Sequence, residues 1–318
     1  MPATEQTRVL KANAAEWTRR ADDDDRPPAL PVFLRTPKGQ VLGIFLLLVG
    51  IAAPAEGGLA PLANVCVAIA AACLVDVVYS YWECRRWINP TSALLSGMIV
   101  AVILGPQEPW QVVAWVAGFS SVSKHVFATD REHVFNPAAL ALLGSVLLFG
   151  TGQSWWGALG DLPAPWIVVL LITGVFIVDR LNKFTLVLTF LGTYFSAFAI
   201  TSLIDASAVA EMFRAPFVQS ALFLAFFMLT DPPTSPNRVG DQVWYGLIAA
   251  LVAVISQVLG AGQTFLLLGV LAANIWLGVR RWWLRRTKPV AAHVRRARRK
   301  ALSNYSVVPV PVTVRRYK

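Results

Sequence analysis

Apolar residues in this chain come in long blocks separated by short polar turns. The blocks run over Gln40–Ala53, Pro61–Trp82, Ser92–Leu104, Trp110–Val126 and Pro137–Gly150, then over Pro165–Val178, Phe184–Leu203, Phe217–Leu229, Val243–Leu259 and Thr264–Trp283. Few charges interrupt any of them, which is the mark of transmembrane helices. The pattern predicts an all-α polytopic membrane protein with ten transmembrane helices. Several blocks are short. A helix of about thirteen residues reaches about 20 Å across an apolar layer about 30 Å thick. Such segments must be buried in protein or line a cavity, because lipid does not tolerate exposed irregular backbone.

Two of the short blocks match. Pro90 to Pro106 and Pro216 to Pro232 enclose apolar stretches of equal length, each followed by another proline (Pro109, Pro236) and then by apolar sequence with a tryptophan (Trp110, Trp244). Five blocks lie on each side of the Gly160 region. Five is odd, so the second set enters the membrane from the opposite face. The pattern therefore predicts two inverted five-helix repeats, about 39–152 and 164–283, with a site at their interface. The loop Thr151–Pro165 reads as the hinge, and Trp155, Trp156 and Trp166 as its interfacial anchors. The remaining domains are a polar tail at 1–38, with a weakly amphipathic stretch at Thr4–Arg20, and a basic tail at 284–318.

Composition agrees: 56% of residues are hydrophobic and 14% charged, too little polar surface for a soluble protein of this length. Basic residues sort to one side. With both ends inside, Arg85, Arg86, Lys124, Arg131, Arg180, Lys183 and Arg238 fall in inner loops, whereas the outer loops hold Arg214 beside Glu56, Glu108, Asp161, Asp205 and Glu211. The positive-inside rule places both termini of the multi-pass chain in the cytoplasm. No cleaved signal peptide is expected ahead of the first block. The net charge of +10 comes mostly from the tail after Arg280. Following directly on a membrane helix, Arg295–Lys300 reads as an anchor to anionic lipids rather than to nucleic acid. Cys66 and Cys73, seven apart, suit helix packing, and Cys84 adds no CxxC pair. His125, His133 and His293 make no haem or metal set, and no catalytic constellation emerges.

Two motifs fall on the inner side. One is Ser123-Lys-His-Val-Phe127 followed by His133-Val-Phe-Asn-Pro-Ala-Ala-Leu140; the other is Phe227-Met-Leu-Thr-Asp-Pro-Pro-Thr-Ser-Pro236. With Ser92-Ala-Leu-Leu-Ser-Gly97 and the Pro106/Pro109-Trp110 turn, they resemble the NqrB/RnfD family, membrane subunits of the bacterial sodium-pumping NADH:quinone reductase and of the Rnf electron-transport complex. The likeness extends from about Gln40 to Trp283. It implies ten helices in two inverted repeats, other membrane electron-transport subunits as partners, and flavin as cofactor. Electron-transferring members carry a Gly-Ala-Thr type sequence between helices seven and eight, whose Thr holds FMN covalently. Here that region is Thr201–Arg214, without the motif, and Thr201, Ser202 and Ser207 lack its flanking pattern. Covalent FMN is therefore not expected, and FMN or riboflavin without a bond is. In this respect the chain is similar to stand-alone relatives encoded beside enediyne biosynthesis genes.

The residues suggest where such a group would bind. Asn136 reads as an N-cap and Pro137 as the first residue of the fifth helix, whose free N–H groups favour an anion. With Lys124, His125 and Arg131 nearby in sequence, this start either receives a flavin phosphate or ring carbonyl, or is simply a helix cap in a basic loop. Thr230 and Asp231 close the corresponding side of the second half. Asp231 is either a loop carboxylate or a partner for Lys124, Arg131 or Arg238, and the two inner motifs are expected to meet in one site. Asp76, ionisable within a span, is expected either to pair with an inner-side Arg or to serve an ion or proton path. Asp179-Arg180 reads as a surface pair. Two function classes follow: a redox-associated membrane protein holding flavin or quinone, or a transporter- or channel-like protein using the same cavity. Whether the chain is itself an enzyme is left open by its residues.

Overall fold

The computed structural model describes residues 33–84, 89–129 and 132–287. The stretch Thr4–Arg20, the loop residues Arg85, Arg86 and Arg131, and the basic run Arg295–Lys300 lie outside them. All ten apolar blocks are helical. Helices α1 (Pro37–Ala52), α2 (Leu59–Cys84), α3 (Thr91–Ile103), α4 (Trp110–Val126) and α5 (Pro137–Phe149) precede the tryptophan-rich loop. After it come α6 (Ile167–Leu181), α7 (Phe184–Ser202), the short α8 (Ala206–Val209), α9 (Ala215–Phe223), α10 (Val239–Val258) and α11 (Phe265–Thr287). A minimal hairpin of β1 (Ala128–Thr129) and β2 (Glu132–His133) pairs Ala128 with His133.

The chain is a polytopic all-α membrane protein. Among the described residues, five helical segments are long and apolar enough to cross a bilayer: Leu59–Glu83, Ala164–Leu181, Phe184–Ser202, Val239–Val258 and Gly262–Leu284. The pair Ala206–Phe213 and Ala215–Met228, bent by 65°, makes a sixth if it counts as one broken span. Length and composition thus give fewer spans than the ten blocks. The reason is size: α1, α3, α4 and α5 have only 16, 13, 17 and 13 residues. Residues such as Leu74, Trp82, Trp115, Leu147 and Leu148 are exposed, as an apolar outer surface requires in lipid.

Local chemistry sets the helix ends. At α1, Pro37 supplies the first residue and Thr36 Oγ1 accepts the Gly39 N–H at 3.2 Å. The start of α5 repeats the device, with Pro137 and the Asn136 side chain accepting the Ala139 N–H at 3.0 Å. Gly150, at φ 64°, ends α5 in the left-handed conformation that glycine adopts without strain. Packing is densest between α2 and its neighbours α3 and α4, and between α10 and its neighbours α7 and α11. In the α2–α3 contact a Cβ on Gly97 would stand 2.7 Å from the Ala68 carbonyl oxygen, so only glycine permits that approach.

One expectation is corrected here. Trp155 and Trp156 are not interfacial anchors but core residues, 5% and 1% exposed. Their loop folds back into the protein: Leu104 and Gln153 form a β-bridge, and Ile103 O accepts the Ser154 and Trp155 N–H groups. Trp156 Nε1 donates to Ala101 O at 2.9 Å, which satisfies its polar edge in the core. Trp166 is 38% exposed. The halves meet through aromatic rings, with Phe45 of α1 5.8 Å from Phe223 and 5.2 Å from Phe227, and Trp155 6.3 Å from Phe223.

Candidate functional site

Beyond Phe223, the helix begun by α9 widens into a π turn over Leu224–Met228, closed by the Leu229 N–H on Leu224 O at 2.9 Å. Such wide turns are rare and are found frequently at functional sites. Glycine makes room for it: a Cβ on Gly174 of α6 would lie 2.0 Å from the Phe226 ring. Thr230 Oγ1 then donates to Phe226 O at 2.5 Å, and Pro232 and Pro233 prevent the helix from continuing.

Beside this turn lies a cavity of about 300 Å³. The starts of α1, α3 and α5 border it through Lys38, Ser92 and Asn136–Ala138. The end of α6 and the turn Thr230–Pro233 close it, and His133 adds a further polar group. Leu95, Ile99, Ile177 and Phe227 give it apolar walls. Asn136, Thr230 and Asp231 therefore line one space, formed by both halves of the chain.

A buried hydrogen-bond hub joins those halves. Asn136 Nδ2 donates to Met228 O at 3.2 Å, a carbonyl in the π turn. The Asn136 N–H donates to Asn274 Oδ1 at 2.8 Å. Asn274 Nδ2 donates to Tyr245 OH at 2.6 Å and to Thr234 O at 3.3 Å. Asn274 is fully buried in α11, and in an apolar medium each of these groups needs its partner.

Asp231 is half-buried and accepts from Thr234 Oγ1 at 2.9 Å. Burial raises its pKa to about 6, against the opposing Thr234 hydrogen bond and the charges of Lys38 and Lys183. Lys183, buried in the α6–α7 turn, donates to Pro236 O at 2.6 Å and Asn237 Oδ1 at 2.9 Å, so it clamps the proline turn from behind. Burial, helped by Arg281, lowers its pKa to about 8, while Asp231 acts the other way. His133 contacts Lys124 O through Nδ1 at 3.0 Å. A carbonyl only accepts, so Nδ1 carries the proton and Nε2 of the neutral ring is left as an acceptor. Burial holds the His133 pKa below the ordinary value.

Lys124 and His125 are elsewhere. Asp76 Oδ1 receives Lys124 Nζ at 2.5 Å and His125 Nε2 at 2.8 Å, and Tyr79 stacks on the His125 ring at 4.1 Å. The expected pairing of Lys124 with Asp231 is thus replaced by one with Asp76, because α2 and α4 pack side by side and bury both groups together. Arg238 is exposed and Arg131 lies outside the described residues. Cys66 and Cys73 are free thiols, and no group of three or more metal-ligating side chains occurs among the described residues.

Sequence reasoning missed Asn274, Lys183 and Lys38 as site residues. A lone carboxamide inside an apolar block was the available signal for Asn274. Lys183 and Lys38 looked like ordinary loop charges.

This architecture defines a polytopic membrane protein with an amphipathic cavity enclosed between its two halves. Residues 39–166 and 151–286 both match the sequence model of the NQR2, RnfD, RnfE family, and the chain belongs to that family. It is similar to the D-type subunit of the ion-translocating oxidoreductase complex of Stutzerimonas stutzeri, 32% identical over 111 residues that cover 33% of this chain and 31% of the relative. The protein of the same name from Pseudomonas paraeruginosa is 28% identical over 78 residues, 24% of this chain and 23% of the relative. In both cases the match spans less than a third of the relative's length.

Proposed function

We propose that this chain acts as a membrane subunit of an ion-translocating electron-transport assembly and holds a flavin ring, FMN or riboflavin, non-covalently in the cavity at Asn136 and Asp231. The observation that carries this reading is the cavity itself. At about 300 Å³ it meets the lower end of the range for ligand pockets, with apolar walls for a flat ring and a few fixed polar groups for its edge. Asn136, Thr230 and Asp231 would hold the ring, with Lys38 and His133 beside them. A bound flavin supplies reversible electron transfer, while the protein supplies position, exclusion of water and local charge.

Covalent attachment is not part of this reading, because the Thr201–Ser207 region lacks the Gly-Ala-Thr type sequence. Thr201 Oγ1 bonds to Ala197 O, Ser202 Oγ to Ala199 O, and Ser207 Oγ to Asp205 Oδ1. The Asp76–Lys124–His125 cluster forms a separate polar station in this reading. A proton arriving at the partly open His125 would meet the Asp76 carboxylate there.

The reading includes ten membrane helices in two inverted repeats, 39–152 and 164–283, with both termini on the cytoplasmic side of a bacterial inner membrane. Two observations favour it: the family match falls in two stretches, 39–166 and 151–286, and the α2–α4 contact has a counterpart in α7–α10. Other electron-transport subunits are its proposed partners, with anionic lipids at the basic tail and no nucleic acid. Reporter fusions after Lys38, Asp130 and Pro236 should all report cytoplasm, and fusions near Glu56 and Asp205 the outside. A cytoplasmic report at Asp205 would break the inverted arrangement.

The test of the cofactor is a spectrum. Full-length protein purified under mild conditions should show flavin absorbance that passes into the filtrate on denaturation, and the denatured band should not fluoresce in a gel. Colourless protein that takes up no added riboflavin would favour the transporter-like alternative.

A further inference from the structure

The polar wall of the cavity has a definite donor and acceptor pattern. Asp231 Oδ2 is engaged by Thr234 Oγ1, but no hydrogen bond reaches Oδ1 among the described residues. Two helix starts supply donors in the same manner. In α5, Pro137 has no N–H and the Ala139 N–H is taken by Asn136, so Ala138 holds the uncommitted N–H of that turn, and Ala138 lines the cavity. In α1, Pro37 has no N–H and the Gly39 N–H is taken by Thr36, which leaves the Lys38 N–H uncommitted, and Lys38 also lines the cavity. One charged acceptor thus shares a wall with two helix-start donors and a lysine.

We infer that this wall recognises a cyclic imide edge, a ring N–H flanked by two carbonyls, with the N–H donating to Asp231 and the carbonyls accepting from Ala138 N–H and Lys38. The inference rests on the flavin reading above and narrows it. The pyrimidine ring of a flavin carries such an edge; a quinone ring carries carbonyls without the N–H. Hydrogen bonds to an ionised acceptor are among the stronger ones, so the charged carboxylate is the form that selects the imide. The groups facing Asp231 are Lys38 from α1, Lys183 from the α6–α7 turn, His133 from β2 across the shared cavity, and Tyr245 of α10 with Arg281 of α11. Because burial has already brought the carboxyl to about 6, acidification from pH 8 to pH 5 protonates it and removes the selective acceptor.

The experiment compares equilibrium binding of lumiflavin and 3-methyllumiflavin, in which the imide N–H is blocked, to the full-length protein in lipid nanodiscs. Wild type should prefer lumiflavin by about ten- to a hundredfold, the scale of one hydrogen bond to a charged group. In Asp231→Ala the two affinities should converge, and in wild type the preference should shrink at pH 5 relative to pH 8. This ratio does not depend on the fraction of folded protein, and the pH series gives the same readout should the Ala variant fail to fold. Equal binding of both compounds by wild type overturns the imide assignment while leaving flavin binding intact. A preference that persists in Asp231→Ala, or one unchanged by pH, overturns it also. If neither compound binds, the flavin reading fails and the imide assignment fails with it.

Discussion

Asn274 and Gln219 are both carboxamides without measurable exposure, yet the structure assigns their removal opposite consequences. Replacing Asn274 by Ala deletes the acceptor of the Asn136 N–H at 2.8 Å and the donor to Tyr245 OH and Thr234 O. A buried N–H left unpaired costs about 1–3 kcal/mol. Two further buried bonds inside a membrane protein add about 0.6–1.7 kcal/mol each. The sum is a loss of about 2–6 kcal/mol, and α5 loses the bond that ties its start to α11. Among the described residues, neither amide atom of Gln219 has a hydrogen-bond partner. Gln219→Leu therefore removes a desolvated polar group that gains nothing, and its effect should be neutral or stabilising. Thermal unfolding of both full-length variants in one detergent, followed by circular dichroism, compares them directly. Asn274→Ala should melt well below wild type and Gln219→Leu at or above it. Melting of Asn274→Ala at the wild-type temperature, or of Gln219→Leu below Asn274→Ala, would refute the reasoning about which buried amide bears structure.

Three further outcomes follow from the same geometry. Asp76→Ala leaves the buried Lys124 ammonium uncompensated and should cost about 3–5 kcal/mol, most of it recovered in the double variant with Lys124→Met; a double variant as unstable as the single would argue against the pair. For Asp231 the folded pKa of about 6 lies above the ordinary 3.8, so the native state holds this proton more tightly; that stability is full below pH about 4 and lost as pH rises through about 6. Asp231→Asn, free of the charge, should then exceed wild type by up to about 3 kcal/mol at pH 8 without ligand, with the advantage gone near pH 4, as melting across that range would show. Gly174→Ala pushes a methyl into the Phe226 ring and should destabilise by about 1–3 kcal/mol, read as a lowered melting temperature together with weaker flavin binding.

What could be read from the residues was periodicity, punctuation and charge. Each apolar block became a helix because an uninterrupted apolar run in lipid has little alternative, and Pro137 and the prolines after Asp231 marked a helix start and a helix stop. Asn136, Thr230 and Asp231 were legible because they stand beside those stops. The π turn was not, since a helix of one extra residue per turn leaves no periodic mark in five apolar residues and depends on space ceded by Gly174 in another helix. Trp155 and Trp156 misled for a related reason. Their loop reads as exposed by composition, but its backbone pairs with Ile103 and Leu104 and carries both rings inward. The partner of Lys124 was missed because the choice between Asp76 and Asp231 is made by the packing of α2 on α4, which no local pattern encodes.

The central claim is that a flavin ring sits between the two halves at the Asn136–Asp231 cavity. A photoreactive flavin analogue, bound to full-length protein in nanodiscs, irradiated and mapped by mass spectrometry, tests it most directly. Labelling should fall on peptides containing Ser92–Ile99, Asn136–Ala138 or Phe227–Pro233 and be suppressed by excess riboflavin. Labelling confined to the Thr201–Arg214 region or to the Asp76–His125 cluster, or labelling that excess riboflavin does not suppress, would contradict the account.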